Sequence, residues 1–463
     1  MKHRGRLLSI LDRAETGQIM DEKEFEKLLV APTSKRLVKQ YGIKRDPDVI
    51  LPSDDDMADR LYQAGMDFAT EVGMFCTSTS RRIVWSRNDY EEGVNSCPNE
   101  TTLGTGADQV IVRSRKPESK IPPIILGGPY GVEVSEELYV PLMLSYAQEG
   151  VIDVIDNATL KSVYGHSPKA ASPWEVIGGW REAELSKQVV NRAGRPEMCI
   201  AGVELSPTAL GEISASSWGG FRPEDLHHVA GISEFKTNYE SLSKLAHLTR
   251  IGGAIYAFMA CIYGGFFGGA EGVALGLTAA AIVLNQNYMP AISSLSSVHP
   301  FLQCTTTPEI LWAFSLASQA ISRNSGLIIS SLVRPSSGPG TKTMLYENAA
   351  FTVATTVSGQ SFIQASMSAA GTHPHHASGL DAKICGEVAH ATALSGMTRQ
   401  EADILVKRLY NIYQPDLEKH LPGQPFEDVY DLKTVRPTLQ WQNTYDEVKN
   451  ELVEMGIPLN RLI

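Results

Sequence analysis

Eight short apolar segments alternate with helix-like stretches between residues 124 and 367, and this alternation constrains the fold more than any other feature of the chain. The apolar segments are residues 124–126, 151–155, 198–203, 232–236, 254–259, 289–295, 326–333 and 362–367. Short buried runs separated by helices are typical of parallel strands joined by helical crossovers. Eight such units predict an α/β fold of the (β/α)8 TIM-barrel type. An open doubly wound sheet is the alternative, although no Gly-x-Gly-x-x-Gly motif follows the first segment.

Helix signals on both sides of this region divide the chain into three parts. Charged helical stretches separated by Pro- and Asp-rich turns predict a helical N-terminal extension over residues 1–120. The barrel is expected over residues 121–397, and helices packed on the barrel are expected over residues 398–463. Ser172 and Thr398 are typical N-cap residues, because each is followed three residues later by a Glu.

The charge and cysteine content exclude some classes of function. The chain has 463 residues, with 41 Lys and Arg against 52 Asp and Glu, so its formal net charge is −11. An acidic chain without clustered basic residues is a poor binder of nucleic acid. The six cysteines are scattered without a Cys-x-x-Cys pair, which is typical of reduced core residues.

Residues 251–284 form a nearly uncharged apolar stretch that is long enough to span a membrane. Three Gly pairs, at 252–253, 264–265 and 268–269, divide it into short pieces. This pattern predicts a buried strand, a Gly-rich loop and a buried helix instead of a membrane span. The N-terminus lacks the apolar core of a signal peptide, so a cytoplasmic protein without membrane attachment is expected.

In a TIM barrel the chemistry takes place at the C-terminal ends of the strands, and this rule selects a short set of candidate residues. They are Ala201, Glu204, His227, His228, Lys236, Phe258, His299, Arg334 and the cluster His373, His375 and His376. Lys236 suits either a Schiff-base lysine or an ion pair with a nearby carboxylate. The clustered histidines suit either a metal site or a solvated, hydrogen-bonded loop. These residues alone leave the reaction open.

Several short motifs keep a characteristic order and spacing from the N-terminal helices to the C-terminal tail. They are Leu103-Gly104-Thr105-Gly106, Gly127-Gly128-Pro129 with Ser135-Glu136, Leu144-Ser145-Tyr146-Ala147, Ser167-Pro168, Ala193-Gly194-Arg195-Pro196, Gly264-Gly265 and Gly386-Glu387-Val388-Ala389. Together they resemble the monomethylamine:corrinoid methyltransferase family. The resemblance implies a TIM-barrel methyltransferase that passes a methyl group from its substrate to the Co(I) of a corrinoid cofactor, carried by a separate corrinoid protein.

The resemblance also shows where this chain departs from the family. Amine-using members carry pyrrolysine at the position of Ala201, and they carry glutamates of the substrate pocket at the positions of His228 and Phe258. A Gln and a Tyr of the family correspond to Leu332 and Arg334. The pocket is therefore expected to have lost its carboxylates and to have gained an aromatic ring, an imidazole and a guanidinium.

This exchange predicts a methyl donor other than monomethylamine, because a methylated ammonium ion prefers negative charge nearby. A methoxylated aromatic compound is predicted, with its ring on Phe258 and a carboxylate on Arg334. The other residues expected to line the substrate pocket are Ala201, Leu332, Lys236 and His299. In the alternative interpretation, Phe258 merely fills the barrel and Arg334 pairs with Glu347 or another acid.

Loss of a phenolate requires a proton or a Lewis acid. His228 is the predicted general acid, with His227 and Glu204 as further catalytic candidates. Zinc held by the histidines of residues 373–376 is the alternative.

Other functions remain open at this point. The main one is a pyrrolysine-independent methyltransferase for a methylamine or quaternary amine, held in an anionic or aromatic cage. A Schiff-base lyase using Lys236 and a non-catalytic paralogue that only binds the corrinoid protein are further alternatives. The protein is expected to form a homo-oligomer.

Overall fold

A computed structural model describes residues 2–202 and 208–461, and its centre is a closed barrel of eight parallel strands. The strands are β1 (Ile124–Gly127), β2 (Val154–Asp156), β3 (Cys199–Gly202), β4 (Leu226–Ala230), β5 (Ala254–Ala260), β6 (Ile292–Ser296), β7 (Ile329–Leu332) and β8 (Phe362–Ala365). Each strand pairs with the next along the chain, and β8 pairs with β1 to close the ring. The predicted (β/α)8 barrel is confirmed.

A helix follows every strand on the outside of the barrel. These helices are Glu136–Ala147, Pro173–Arg192, Ala209–Ala215, Tyr239–Ile251, Ala270–Tyr288, Pro308–Asn324, Lys342–Val357 and Gly379–Ser395. Glu175 does not complete the predicted capping box of its helix, because its carboxylate instead accepts hydrogen bonds from the Thr208 hydroxyl and the Ala171 backbone amide. Short parallel strands at Glu133–Val134 and Thr159–Leu160 and a 3₁₀ turn at Ser368–Gly371 lie in the loops after β1, β2 and β8.

The fourth predicted strand is wrong. Residues 226–230 form β4, whereas Lys236–Thr237 pairs with Met74–Cys76 in a small sheet outside the barrel. The two adjacent histidines of β4 interrupt an apolar pattern, so the strand resembles a polar loop in the sequence. Their burial is possible only because each imidazole finds polar or aromatic neighbours in the folded chain.

Side chains along each strand point alternately into and out of the barrel, so the protein has two separate apolar cores, one inside the barrel and one between the barrel and the helices. Residues such as Leu126, Val154 and Phe362 point into the barrel, and Leu103 and Val112 join them from the hairpin Glu100–Leu103/Val110–Arg113. That hairpin bonds to the segments preceding β3 and β4, so it closes the N-terminal end of the barrel. The open end is therefore the C-terminal end of the strands.

The long apolar stretch forms β5, a Gly-rich loop and the helix Ala270–Tyr288. Every residue of this helix except Glu271 is buried, because the helix lies between the barrel wall and the helix Asp55–Val72. A Cβ atom at Gly65 would lie 2.8 Å from Thr278 Cγ2, so glycine permits this close approach. Among the residues that the structure describes, no helix is long and apolar enough to cross a membrane.

The regions before and after the barrel are mainly helical. The N-terminal helices are Lys2–Thr16, Glu22–Glu24, the π-helix Phe25–Val30, Ala31–Gln40, Asp55–Val72 and Arg87–Asn95, with short strands at Met74–Cys76 and Arg81–Ile83 and a 3₁₀ turn at Gly106–Asp108. The C-terminal elements are the helices Arg399–Leu417, Phe426–Val429 and Leu439–Glu454, the strands Tyr430–Asp431 and Arg436–Pro437, and the 3₁₀ turn Leu459–Arg461. One apolar cluster includes residues of all three regions, so the domain boundaries at residues 120 and 397 stay a prediction.

Candidate functional site

Polar side chains from four strands meet inside the open end of the barrel. Gln364 of β8 donates a hydrogen bond from Nε2 to Asp156 Oδ2 of β2 at 2.5 Å. The hydroxyl of Tyr256 donates to Gln364 Oε1 at 3.0 Å and lies 3.0 Å from the Ser330 hydroxyl oxygen. All four side chains are buried, so the barrel interior holds a carboxylate within an ordered polar network.

Backbone geometry explains how Asp156 reaches this position. A Cβ atom at Gly128 would lie 1.9 Å from the Asp156 carbonyl oxygen. Glycine after β1 therefore permits the chain to pass close to the end of β2. The Gly127-Gly128-Pro129 turn then leads to Tyr130, whose ring lies over the barrel opening beside the rings of β4 and β5.

Aromatic rings surround the site. The ring centroid of Tyr130 lies 6.1 Å from Phe258, edge to face, and 5.7 Å from His228. His228 is 4.9 Å from Tyr256, and Tyr256 is 6.4 Å from Phe258. We call Tyr130, His228, Tyr256 and Phe258 the aromatic cage. Phe258 is only half-buried, so this side of the cage is accessible from the barrel opening.

His228 belongs to this cage and lies close to its carboxylate. Its Nε2 atom is 3.8 Å from Asp156 Oδ1, and its side chain is 4% exposed. Burial lowers the pKa of His228, although the Asp156 carboxylate opposes this shift. This shift disfavours the predicted role of His228 as a general acid, because desolvation favours the neutral ring at neutral pH.

His227 faces away from the site, as alternation along β4 requires. Its Nδ1 atom lies 2.7 Å from Glu212 Oε1, and its Nε2 atom lies 2.9 Å from the Arg222 carbonyl oxygen. Burial opposes the charged form, but the charge and hydrogen bond of Glu212 outweigh it and raise the pKa of His227. The structure thus places this catalytic candidate between the barrel wall and the outer helices.

Arg334 follows β7 at the opening of the barrel. Its Nη2 atom donates to the Ala370 carbonyl oxygen at 2.9 Å, and its buried Nε atom has no hydrogen-bond partner. Glu347 is not its partner, because that carboxylate accepts hydrogen bonds from Thr306 and Ser336. Leu332, the last residue of β7, is half-buried.

Lys236 and His299 lie elsewhere. The predicted position of Lys236 at a barrel strand end is wrong, because Lys236 pairs with Glu22 at 2.7 Å and with Glu26 in the N-terminal region. His299, in the loop after β6, accepts a hydrogen bond from the Leu302 amide and stacks on Tyr263 with ring centroids 5.2 Å apart. His299 therefore belongs to the rim of the opening and contacts none of the cage residues.

The predicted zinc site finds no support. His375 Nε2 accepts a hydrogen bond from the Ser135 amide, and His376 Nδ1 lies 2.9 Å from the Pro374 carbonyl oxygen. His373 Nδ1 lies 2.9 Å from the Thr372 hydroxyl. Within residues 2–202 and 208–461, no group of three or more His, Cys, Asp or Glu side chains is arranged to hold a metal ion.

Ala201 lies in the barrel interior, fully buried and paired in register with Asp156 of β2 and Leu226 of β4. Glu204 lies outside the described residues. Sequence reasoning missed Asp156, Tyr130 and Gln364. The signal for Asp156 was present, because it directly follows the apolar segment 151–155. The expectation of a pocket without carboxylates is therefore wrong.

Comparison with known proteins finds a family and relatives that match nearly the whole chain. Residues 6–457 match the family described as monomethylamine methyltransferase MtmB. MtmB2 of Methanosarcina acetivorans and MtmB1 of Methanosarcina barkeri are each 32% identical over 448 residues, which cover 96% of this chain and 97% of each relative. The crystal structure of Methanosarcina barkeri MtmB and that of a hydroxylamine MtmB complex each match with a TM-score of 0.94 at 31% identity, covering 97% of this chain and 98% of theirs.

These matches correct the predicted substrate. The prediction of a methoxylated aromatic donor is wrong, because the family and its relatives are named for monomethylamine. Methyltransferase activity and the family resemblance are confirmed. The chain belongs to the family of the monomethylamine methyltransferase MtmB.

Proposed function

We propose that this protein transfers a methyl group from an N-methylated ammonium ion to the Co(I) of a partner corrinoid protein, without pyrrolysine. The observation that carries the proposal is the aromatic cage beside the buried Asp156. The relatives are named for a methylamine, and Ala201 has no electrophile with which to bind an amine covalently. The donor must therefore be held by non-covalent contacts.

The cage has the chemistry that a methylated ammonium ion requires. Aromatic faces attract cations, at about 0.5–2 kcal/mol for each ring. Asp156 supplies a carboxylate within the same interior, held in place by Gln364. Desolvation strengthens the attraction between that carboxylate and a cation. Among the described residues, the site combines three carbon-ring aromatics, an imidazole and one acid, and this set favours a cation whose surface consists mainly of methyl groups.

The lowered pKa of His228, which burial causes, agrees with an ammonium donor. When the methyl carbon is transferred, the C–N bond breaks and its electron pair stays on nitrogen, while the cobalt of the acceptor supplies the electron pair of the new Co–C bond. The ammonium ion leaves as a neutral amine, so the leaving group needs no proton. A phenolate would need one. His228 therefore serves as a neutral wall of the cage.

A donor series tests this proposal. The purified protein is mixed with a corrinoid protein reduced to Co(I) and with methylammonium, dimethylammonium, trimethylammonium or tetramethylammonium. Conversion of Co(I) to methyl-Co(III), followed by absorbance, is expected with at least one of these donors and with none when the protein is omitted. If no N-methylated cation supports conversion above that background, the proposal is overturned.

A further inference from the structure

Arg334 is a half-buried positive charge beside a site for a cation, and its surroundings do not explain it. Its Nη2 atom bonds to the Ala370 carbonyl oxygen, while its buried Nε atom has no partner. Among the residues that the structure describes, Arg334 forms no ion pair. Burial lowers the pKa of Arg334, and the groups close enough to oppose this shift are the Cys304 thiol and the Tyr130 hydroxyl.

Cys304 supplies no negative charge for Arg334. Burial raises the pKa of Cys304 to about 12, so its thiol stays protonated at neutral pH. The carboxylate of Glu347 is already bound by Ser336 and Thr306. Burying a guanidinium without a counter-charge costs folding free energy. An anion delivered by a ligand would remove this cost, and a planar guanidinium suits a carboxylate.

Tyr130 connects Arg334 to the aromatic cage. Tyr130 is close enough to affect the pKa of Arg334, and the ring of Tyr130 lies edge to face against Phe258 at 6.1 Å. The barrel opening therefore has an anionic and aromatic side, at Asp156 and the cage, and a cationic side at Arg334. A single ligand that spans both sides carries a positive charge at one end and a negative charge at the other.

We infer that the methyl donor is a zwitterion, an N-methylated amino acid or betaine, and that Arg334 binds its carboxylate. This inference rests on the proposed function, since it specifies which N-methylated ammonium ion the cage holds. The ammonium end lies in the cage beside Asp156, and the carboxylate end takes the unpartnered Nε of Arg334. During transfer the C–N bond breaks, nitrogen keeps the electron pair, and the carboxylate is unchanged.

Three matched pairs of donors test the inference: N-methylglycine with dimethylammonium, N,N-dimethylglycine with trimethylammonium, and N,N,N-trimethylglycine with tetramethylammonium. In each pair a carboxymethyl group replaces one methyl group. With the wild-type protein, kcat/KM for the carboxylated member of the productive pair is expected to exceed that of its partner by about tenfold or more.

Substitution of Arg334 then identifies the residue responsible. Arg334→Gln is expected to lower kcat/KM for the carboxylated donor about 30-fold while changing that of its partner less than about threefold. Arg334→Lys should retain part of the preference, because it keeps the charge but not the fork of donors. Arg113→Gln is the control, since Arg113 lies on the hairpin at the closed end of the barrel and pairs with Glu100.

The outcomes separate the two claims. Transfer from the carboxyl-free amines without preference for the carboxylated partners overturns the inference and leaves the proposed function standing. Equal loss with both classes of donor in Arg334→Gln and Arg334→Lys shows a structural role and also overturns the inference. Failure of all six donors overturns the inference, and failure of methylammonium as well overturns the proposed function.

Discussion

His227 and His228 are buried neighbours on one strand, yet they face opposite sides of the barrel wall. His227 points to the outer helices, where Glu212 lies 2.7 Å away and raises its pKa. His228 points into the barrel, where aromatic rings surround it, Asp156 lies 3.8 Å away, and burial lowers its pKa. The outer pair of His227 and Glu212 is a buried structural contact. The inner group forms part of a surface that suits a cation.

The prediction with the largest effect concerns the contact between Glu212 and His227. Glu212→Leu removes the buried partner of His227 and should lower the free energy of unfolding by about 3 kcal/mol near pH 6. Because the folded-state pKa of His227 is raised above its ordinary value of 6.5, the stabilisation is complete below that value and declines as the pH rises through the raised pKa. Urea unfolding from pH 5 to pH 9 measures both effects.

Glu100→Gln serves as the control for this stability measurement, because its ion pair with Arg113 is exposed and contributes well below about 1 kcal/mol. A Glu212→Leu protein with wild-type stability and a wild-type pH profile would show that the pair does not stabilise the fold.

The second prediction concerns Asp156, the carboxylate beside His228. Asp156→Asn keeps the shape of the side chain and an acceptor for Gln364, but it removes the negative charge beside the cage. We expect kcat/KM for the best ammonium donor to fall about 100-fold, with little change in the midpoint of thermal unfolding.

Asp153→Asn is a matched control, because Asp153 lies just before the same strand at the closed end of the barrel and accepts a hydrogen bond from the Ile125 amide. Its activity should equal that of the wild type. Equal rates for Asp156→Asn and Asp153→Asn would mean that the interior carboxylate does not assist binding or transfer.

The third prediction has the smallest effect and concerns the aromatic ring of Phe258. Phe258→Leu keeps an apolar side chain but removes the aromatic face, so it separates cation–π attraction from simple apolar packing. We expect KM for the ammonium donor to rise about fivefold with kcat nearly unchanged. Steady-state methyl transfer at saturating corrinoid protein measures both constants.

Phe314→Leu, in an outer helix where Phe314 packs on Phe351, is the control for loss of a buried ring. It should lower stability and leave KM unchanged. If Phe258→Leu leaves KM unchanged as well, the ring of Phe258 does not contact the cation.

Seven of the eight strands overlap the apolar segments of the sequence, because parallel strands buried on both faces are rich in apolar residues. β4 was missed since His227 and His228 occupy its centre. Of the candidate site residues, His228, Phe258, Ala201 and Arg334 lie in or around the barrel opening, and their roles stay predictions. Tyr130 lies in a turn, and no local pattern shows that its ring reaches back over β4 and β5.

The sequence by itself determined the barrel and the family, because apolar periodicity and ordered motifs are local properties that survive without knowledge of contacts. It also determined that position 201 is an alanine, so covalent capture of an amine by pyrrolysine is impossible there. The tertiary structure alone decided which of two adjacent histidines faces the site. It alone brought Asp156 to the cage, because closure of the barrel joins side chains from strands that lie far apart in the chain.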